Sequence, residues 1–302
     1  MSGGIEEADN RKGKFGPPGL FEALRRELRL RNYSPKTIKS YCSHLRAFVA
    51  YEAPKHPKEL SEDDVRRYLL HLIEEKHFSA GSVSQVMSSI KFLYSEVYDR
   101  PFVTSGLPRP IREHKLPVVL SIEEVKRVFE SLGNLKHRIM LMLVYSAGLR
   151  VGEVVRLRPE DIDSDRMMIH VRQGKGKKDR YTVLSEVVLE GLREYWKAYR
   201  PKRWLFEGQE EGKPYSIRSA ERVFEIAAKK AGIGKKVSIH SLRHAFATHL
   251  LEQGTDIKFI QELLGHRSVR TTEIYTHVSK KEIGKIRSPI ESILQPKRSN
   301  TK

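Results

Sequence analysis

Ser34-Pro-Lys-Thr-Ile-Lys-Ser-Tyr-Cys-Ser-His-Leu-Arg-Ala-Phe-Val-Ala-Tyr51 decides the character of the first third of the chain. Serine followed by proline is a helix start. The hydroxyl can accept a first-turn backbone N–H, and proline's fixed φ suits a position whose N–H would have no partner. Ile38, Tyr41, Leu45, Phe48 and Val49 then recur at three- and four-residue steps, the apolar face of one helix. The signal repeats downstream. Ser61, with Asp64 three residues later, opens a run carrying Val65, Tyr68, Leu69 and Leu72. Ser79–Tyr98 carries Val83, Val86, Ile90, Leu93 and Val97 in the same manner. With Phe21–Leu30 ahead of them, these segments predict a small helical bundle over residues 17–105. Residues 1–16 are glycine-rich, charged and without periodicity, and are expected to be a flexible leading segment.

Beyond the bundle the texture changes. Pro101, Pro108, Pro110 and Pro117 crowd together with Gly106, Arg109, Arg112, His114 and Lys115. Proline donates no backbone hydrogen bond and turns its predecessor away from the helical region, so residues 106–120 are expected to form an extended basic linker. Ser121-Ile-Glu-Glu124 is a capping box that opens a second domain, expected over residues 121–283. Asn134–Ala147 is strongly apolar and reads as a buried helix. Met167–Val171 and Arg180–Leu184 are the one strand-like pair, a hairpin whose turn Gln173-Gly-Lys-Gly-Lys-Lys-Asp179 is rich in glycine and lysine. Helical patterns follow at Ser185–Tyr199, Ser216–Ala231, Ser241–Gln253, Asp256–Leu264 and Val269–His277. Residues 284–302 are a basic tail continuing an apolar set, Ile283, Ile286, Ile290, Ile293 and Leu294, which could fold back or dock on another subunit. The expected fold is two domains, mainly α, with a small β-hairpin or sheet in the second.

Composition narrows the function. The 302 residues leave room for about two domains. Lysine and arginine number 56 against 38 acidic residues, a formal charge of +18 that favours a polyanionic partner. Hydrophobic residues at 39% are enough for globular cores. Cys42 is the single cysteine, which excludes intrachain disulfides and cysteine-rich zinc sites. Ile139–Leu149, the longest apolar stretch, is too short to span a bilayer. Met1–Lys14 does not have the form of a secretion signal. The expectation is a cytoplasmic, nucleic-acid-binding protein with no membrane association.

Five stretches of the second domain gather cations and proton carriers, most of them beside glycine: Ala147-Gly-Leu-Arg-Val-Gly-Glu153, Gly174-Lys-Gly-Lys-Lys178, His240-Ser-Leu-Arg-His244, Leu263-Leu-Gly-His266 and Ile274-Tyr-Thr-His277. Breaking a phosphodiester without a metal needs cations for the non-bridging oxygens, a nucleophile, and an acid for the departing oxygen. Arg150 and Arg243 offer two guanidinium forks, Tyr275 a phenol, Lys175 an ammonium, and His240 and His266 proton carriers. Glu153, one helical turn after Arg150, can orient a member of the set. Plainer readings compete. An arginine seen alone is most often a surface salt bridge, and Lys175 shares its turn with Lys177 and Lys178. His240 and His244 stand at i, i+4, as a metal site would want, yet no glutamate of a His-Glu-x-x-His hydrolase accompanies them and Arg243 lies between. No metal and no other cofactor is expected. His244, His249, His277, Tyr145 and Tyr195 are expected to be structural.

Together, Ala147-Gly-Leu-Arg150, His240-x-x-Arg243, Leu-Gly-His266 and Tyr275 nine residues later resemble the tyrosine site-specific recombinases. The helical N-terminal region with its Ser34–Tyr41 entry resembles the Xer branch. The likeness extends over residues 17–290 and implies roles. Arg150 and Arg243 would clamp the scissile phosphate, Lys175 would protonate the leaving 5′ oxygen, His240 would help accept the phenolic proton, and His266 would hydrogen-bond the phosphate. Tyr275 would attack, leaving a 3′-phosphotyrosyl link, with Glu153 in support. The resemblance also implies double-stranded DNA carrying a specific recombination site as partner, a clamp-like hold on that duplex, and a tetramer on two sites. Candidate phosphate contacts are Lys36, Lys39, Arg112, Lys115, Lys177, Lys178, Arg218, Arg222, Arg267 and Arg270, many of which charge alone would leave merely solvated. The expected function is Xer-like resolution of chromosome or plasmid dimers. A type IB topoisomerase, the integrase of a mobile element and a purely architectural DNA binder are the alternatives.

Overall fold

The computed structural model of the chain describes residues 19–101, 105–108, 110–111, 117–172, 179–266 and 272. The chain divides into two compact units, Met1–His114 and Lys115–Lys302.

In the first unit, α1 (Leu20–Leu30), α2 (Pro35–Glu52), α3 (Glu62–Glu74) and α4 (Ala80–Phe92) enclose one apolar core. The expected starts are made. Ser34 Oγ accepts the Thr37 N–H at 3.1 Å. Ser61 and Asp64 serve each other, the Asp64 N–H reaching Ser61 Oγ at 3.3 Å and the Ser61 N–H reaching Asp64 Oδ2 at 2.9 Å. Leu24, Leu28, Leu45, Phe48, Leu60, Val65 and Ile90 lie fully out of water. At about 2 kcal/mol for each such side chain, their burial is the main force holding the bundle together. One expectation changes here: the helix read as Ser79–Tyr98 widens after Phe92 into a π turn, Leu93–Val97. The extra residue in that turn lets the consecutive Phe92, Leu93 and Tyr94 all stay buried. The Tyr94 hydroxyl then donates to the Pro57 carbonyl at 2.8 Å.

In the second unit, α5 (Ile122–Glu130) begins with the expected capping box, the Ser121 N–H donating to Glu124 Oε2 at 2.8 Å. The apolar helix α6 (Leu135–Ser146) buries Ile139, Met140, Leu141, Leu143 and Val144. It packs against α8 (Glu186–Tyr199) and α10 (Ile239–Glu252). A single turn, α7 (Val151–Val154), leads to the sheet, and α9 (Ile217–Lys230) and α11 (Ile257–Leu264) complete the described helices. The sheet has three antiparallel strands in the order β1 (Ile162–Asp163), β2 (Met168–Val171), β3 (Arg180–Val183), with Ile162 opposite Ile169 and His170 opposite Tyr181. The hairpin β2–β3 is as expected. β1 is an addition, too short at two residues for alternation to reveal it. α10 starts two residues before the expected Ser241, so His240 belongs to its first turn. The helix expected at Val269–His277 lies, apart from Thr272, outside the described residues.

β3 reverses the usual alternation. Tyr181 and Val183 are exposed, at 56% and 43%, while Thr182 is buried and Arg180 faces inward. Thr182 Oγ1 donates to the Ala147 carbonyl at 2.8 Å, tying the strand to the end of α6. An inward-facing arginine on an inner sheet face calls for an anionic partner, and it has one.

Candidate active site

The site begins where α6 stops. Gly148 adopts φ +60°, and a Cβ there would stand 2.5 Å from Phe246 Cδ1. Both the backbone angle and the close approach of α10 therefore demand glycine. The chain turns sharply, buries Leu149, and presents Arg150 as the residue capping α7. Glu153 is the third residue of that turn, and its carboxylate doubles back. Oε2 accepts the Arg150 backbone N–H at 2.9 Å and Oε1 accepts Arg150 NH1 at 2.7 Å. A carboxylate at a helix start also suits the local dipole.

The same carboxylate receives Arg180 from β3 in a two-pronged pair, NH1 to Oε1 at 3.0 Å and NH2 to Oε2 at 2.8 Å. The Arg180 Nε–H continues to the Leu263 carbonyl at 2.8 Å. Burial raises the pKa of Glu153, but Arg180 and then Arg150 outweigh it, and the group settles at about 2.

Arg243, one turn into α10, is almost fully buried. It donates through NH1 to the Gly148 carbonyl and through NH2 to the Leu264 carbonyl at 2.6 Å. Its NH1 lies 3.8 Å from Glu153 Oε2, beyond hydrogen-bond range. NH2 is also 3.2 Å from His266 Nε2. A guanidinium can only donate, so in this contact Nε2 accepts and Nδ1 carries the ring proton. That proton is directed to Thr272 Oγ1, 3.0 Å away on a fully buried residue. His266 follows Gly265, which ends α11 at φ +62°, where a Cβ would stand 2.8 Å from the Arg180 stem.

His240 lies three residues before Arg243, open to solvent on its outer side. Partial desolvation first, and then the positive charges of Arg243 and Arg150, lower its pKa against the pull of Glu221 and Glu153. His244 is lowered to about 4 by burial, His240 and Arg243. His249 bonds the Tyr145 hydroxyl through Nδ1 at 3.0 Å.

Arg150, Glu153, Arg243 and His266 thus converge, with His240 beside them. Lys175 and Tyr275, together with Arg112, Lys115, Lys177, Lys178, Arg267 and Arg270, lie outside the described residues. Lys36 and Lys39 are exposed in the first turns of α2, in the first unit, and Arg218 and Arg222 are exposed on α9. Arg222 pairs with Glu225 at 3.1 Å. Sequence reasoning missed two participants. Thr272 gave no local signal. Arg180 had one: with Thr182 it makes a polar set at period two in a strand whose other residues are apolar.

The chain matches the family model "Phage integrase family" over residues 119–282 and the model "Phage integrase, N-terminal SAM-like domain" over residues 20–103. It belongs to the phage integrase family. Members of this family of tyrosine recombinases cleave and rejoin DNA through a phosphotyrosine intermediate. The protein y4qK of Sinorhizobium fredii, of integrase/recombinase type, is 39% identical over 278 residues, 92% of this chain and 90% of its own. The tyrosine recombinase XerD of Staphylococcus aureus is 34% identical over 272 residues, covering 84% of this chain and 91% of XerD. Among solved structures, XerH site-specific recombinase bound to its palindromic difH substrate superposes with a TM-score of 0.71 at 23% identity, over 84% of this chain and 79% of XerH. At that identity the likeness concerns the fold. No helix of the described residues of this phage integrase family member is long and apolar enough to cross a membrane.

Proposed function

We propose that this recombinase acts on duplex DNA at a specific site in the manner of Xer proteins, resolving chromosome or plasmid dimers in the cytoplasm. Tyr275 is the nucleophile. Its phenolic oxygen bonds to the scissile phosphorus as the bond from phosphorus to the 5′ oxygen breaks. The phenolic proton passes toward His240, and Lys175 gives a proton to the departing 5′ oxygen. The products are a 3′-phosphotyrosyl link and a 5′ hydroxyl, and return of that hydroxyl reverses the step. The phosphodiester's bond energy is kept in the covalent link, so the chemistry itself needs neither ATP nor a metal.

The observation that carries this reading is the convergence of Arg150 and Arg243 on one saturated carboxylate, with His266 held against Arg243. Guanidinium forks match the added negative charge on a five-coordinate phosphorus. Exchange between two duplexes breaks two strands at each, so four phenols are needed and a tetramer is the proposed working unit. Residues 17–105 and 121–283 are its two DNA-holding domains, joined by the basic linker 106–120. Lys36, Lys39, Arg218 and Arg222 contribute phosphate contacts from exposed helix faces. The basic tail 284–302 packs between subunits.

Incubation with a nicked half-site oligonucleotide tests the chemistry. The full chain should form a covalent protein–DNA adduct that Tyr275→Phe abolishes, and an equal adduct from both would overturn the assignment. A second reading, the integrase of a mobile element, is favoured by the similarity to the S. fredii integrase/recombinase. Sequencing of genomic fragments captured covalently separates the two: a chromosomal site supports the Xer role, and element ends support the integrase.

A further inference from the structure

We propose that Arg180 is a positioning residue for strand cleavage, one that acts through Glu153 and the Leu263–His266 turn and does not touch the DNA itself. The inference rests on the assignment of Arg150 and Arg243 to the scissile phosphate.

An ionised carboxylate offers about four lone-pair sites. On Glu153 all are used: two by the Arg180 guanidinium, one by the Arg150 backbone N–H and one by Arg150 NH1. Arg243 NH1 stands 3.8 Å from the same carboxylate and donates instead to the Gly148 carbonyl. Removing Arg180 would open two acceptor sites directly beside that NH1. The carboxylate would then draw Arg243 toward itself, or let Arg150 shift to cover the vacancy, and either movement takes a guanidinium away from its phosphate position. Arg180 thus keeps Glu153 occupied so that its attraction for the two clamping arginines stays divided as observed.

The same side chain also fixes the histidine. Its Nε–H holds the Leu263 carbonyl at 2.8 Å, and its stem packs where a Cβ on Gly265 would fall. Arg243 NH2 holds the next carbonyl, that of Leu264, at 2.6 Å. Two guanidiniums from different elements therefore grip adjacent carbonyls of the turn that delivers His266. Arg180 is moreover the first residue of β3, so one side chain references that strand, the Arg150 elbow and the His266 turn to one another. Lysine cannot reproduce this, since an ammonium is a point donor without the planar fork.

The test compares Arg180→Met and Arg180→Lys with the unaltered full chain on two nicked half-sites, one with an ordinary scissile phosphate and one with a neutral methylphosphonate there. Adduct formation is timed, and DNA binding and thermal unfolding are measured alongside. A displacement of about 1 Å in the clamp predicts a loss of about 10²-fold on the phosphate for Arg180→Met. The loss should shrink markedly on the methylphosphonate, whose missing charge asks less of the guanidiniums. Arg180→Lys should fall between, and it supplies the same comparison if Arg180→Met unfolds. Equal losses on the two substrates, or no loss on the phosphate, would overturn the proposal. Failure of the underlying reading is recognised separately, by a Tyr275→Phe protein that still forms the adduct.

Discussion

Replacing Glu153 by glutamine should expose how much of the second unit's stability rests on one charge. The carboxylate has a pKa of about 2 in the folded protein against an ordinary 4.5, because Arg180 and Arg150 outweigh its burial. At ~1.4 kcal/mol per pH unit, that depression corresponds to about 3 kcal/mol of folding stability. The sign follows from its direction: a lowered carboxylate stabilises fully above its unfolded pKa and loses that contribution as pH falls through its folded pKa. The gap between the wild-type chain and Glu153→Gln should therefore contain about 3 kcal/mol at pH 7, with more than half of that gone by about pH 3. Both tryptophans of the chain, Trp196 and Trp204, belong to the second unit, so urea unfolding followed by tryptophan fluorescence reports on that unit alone. A gap that stayed constant from pH 7 to pH 3 would show that the pair contributes through shape and neutral hydrogen bonding, and the electrostatic account would fail.

Gly148→Ala should cost the second unit about 2 kcal/mol or more in the same urea assay, since the new methyl meets a positive φ and the Phe246 ring at 2.5 Å. Unchanged stability would mean that α10 yields freely at this contact. Lys39→Ala should lower the salt slope of DNA binding by about one, without altering preference among sequences. An unchanged slope would remove Lys39 from the set of phosphate contacts.

What the sequence makes legible follows the range of the interactions involved. Helix starts at Ser34, Ser61 and Ser121 depend on atoms within three residues of one another, so the caps are read correctly. The π turn after Phe92 answers to burial by the rest of the bundle and has no local marker. The site divides along the same line. Arg150 with Glu153 is an i, i+3 pair and is legible in the sequence, whereas the demand for glycine at position 148 comes from the approach of Phe246 on α10 and emerges only with the fold. Arg180 meets Glu153 from 27 residues away and Leu263 from 83, so its partners could not be named before the fold was known. His266 was found through its motif, whereas the Thr272 hydroxyl that fixes its ring emerged only from the fold.

The charge distribution would let the proposed site hold both a strong anion clamp and a proton acceptor. Arg150, Arg180 and Arg243 surround a single carboxylate, which leaves two positive charges in excess. Guanidiniums do not titrate in the physiological range, so that excess persists at any pH at which DNA is intact. The histidines respond in the opposite direction. His244 is lowered to about 4, and His240 is lowered from its ordinary value by desolvation and by the positive charges of Arg243 and Arg150. Both imidazoles are therefore neutral near pH 7 and keep a lone pair. Had the clamp been built from histidinium, its charge would vanish as the pH rose, and the acceptor would already be occupied by a proton. In the proposed mechanism, permanent cations free the imidazole to take the phenolic proton, and a positive field of this kind favours a phenolate over a phenol. In that mechanism the same arginines serve the phosphate directly and the proton transfer indirectly, which is why their placement by Glu153 and Arg180 would matter beyond the stability of the fold.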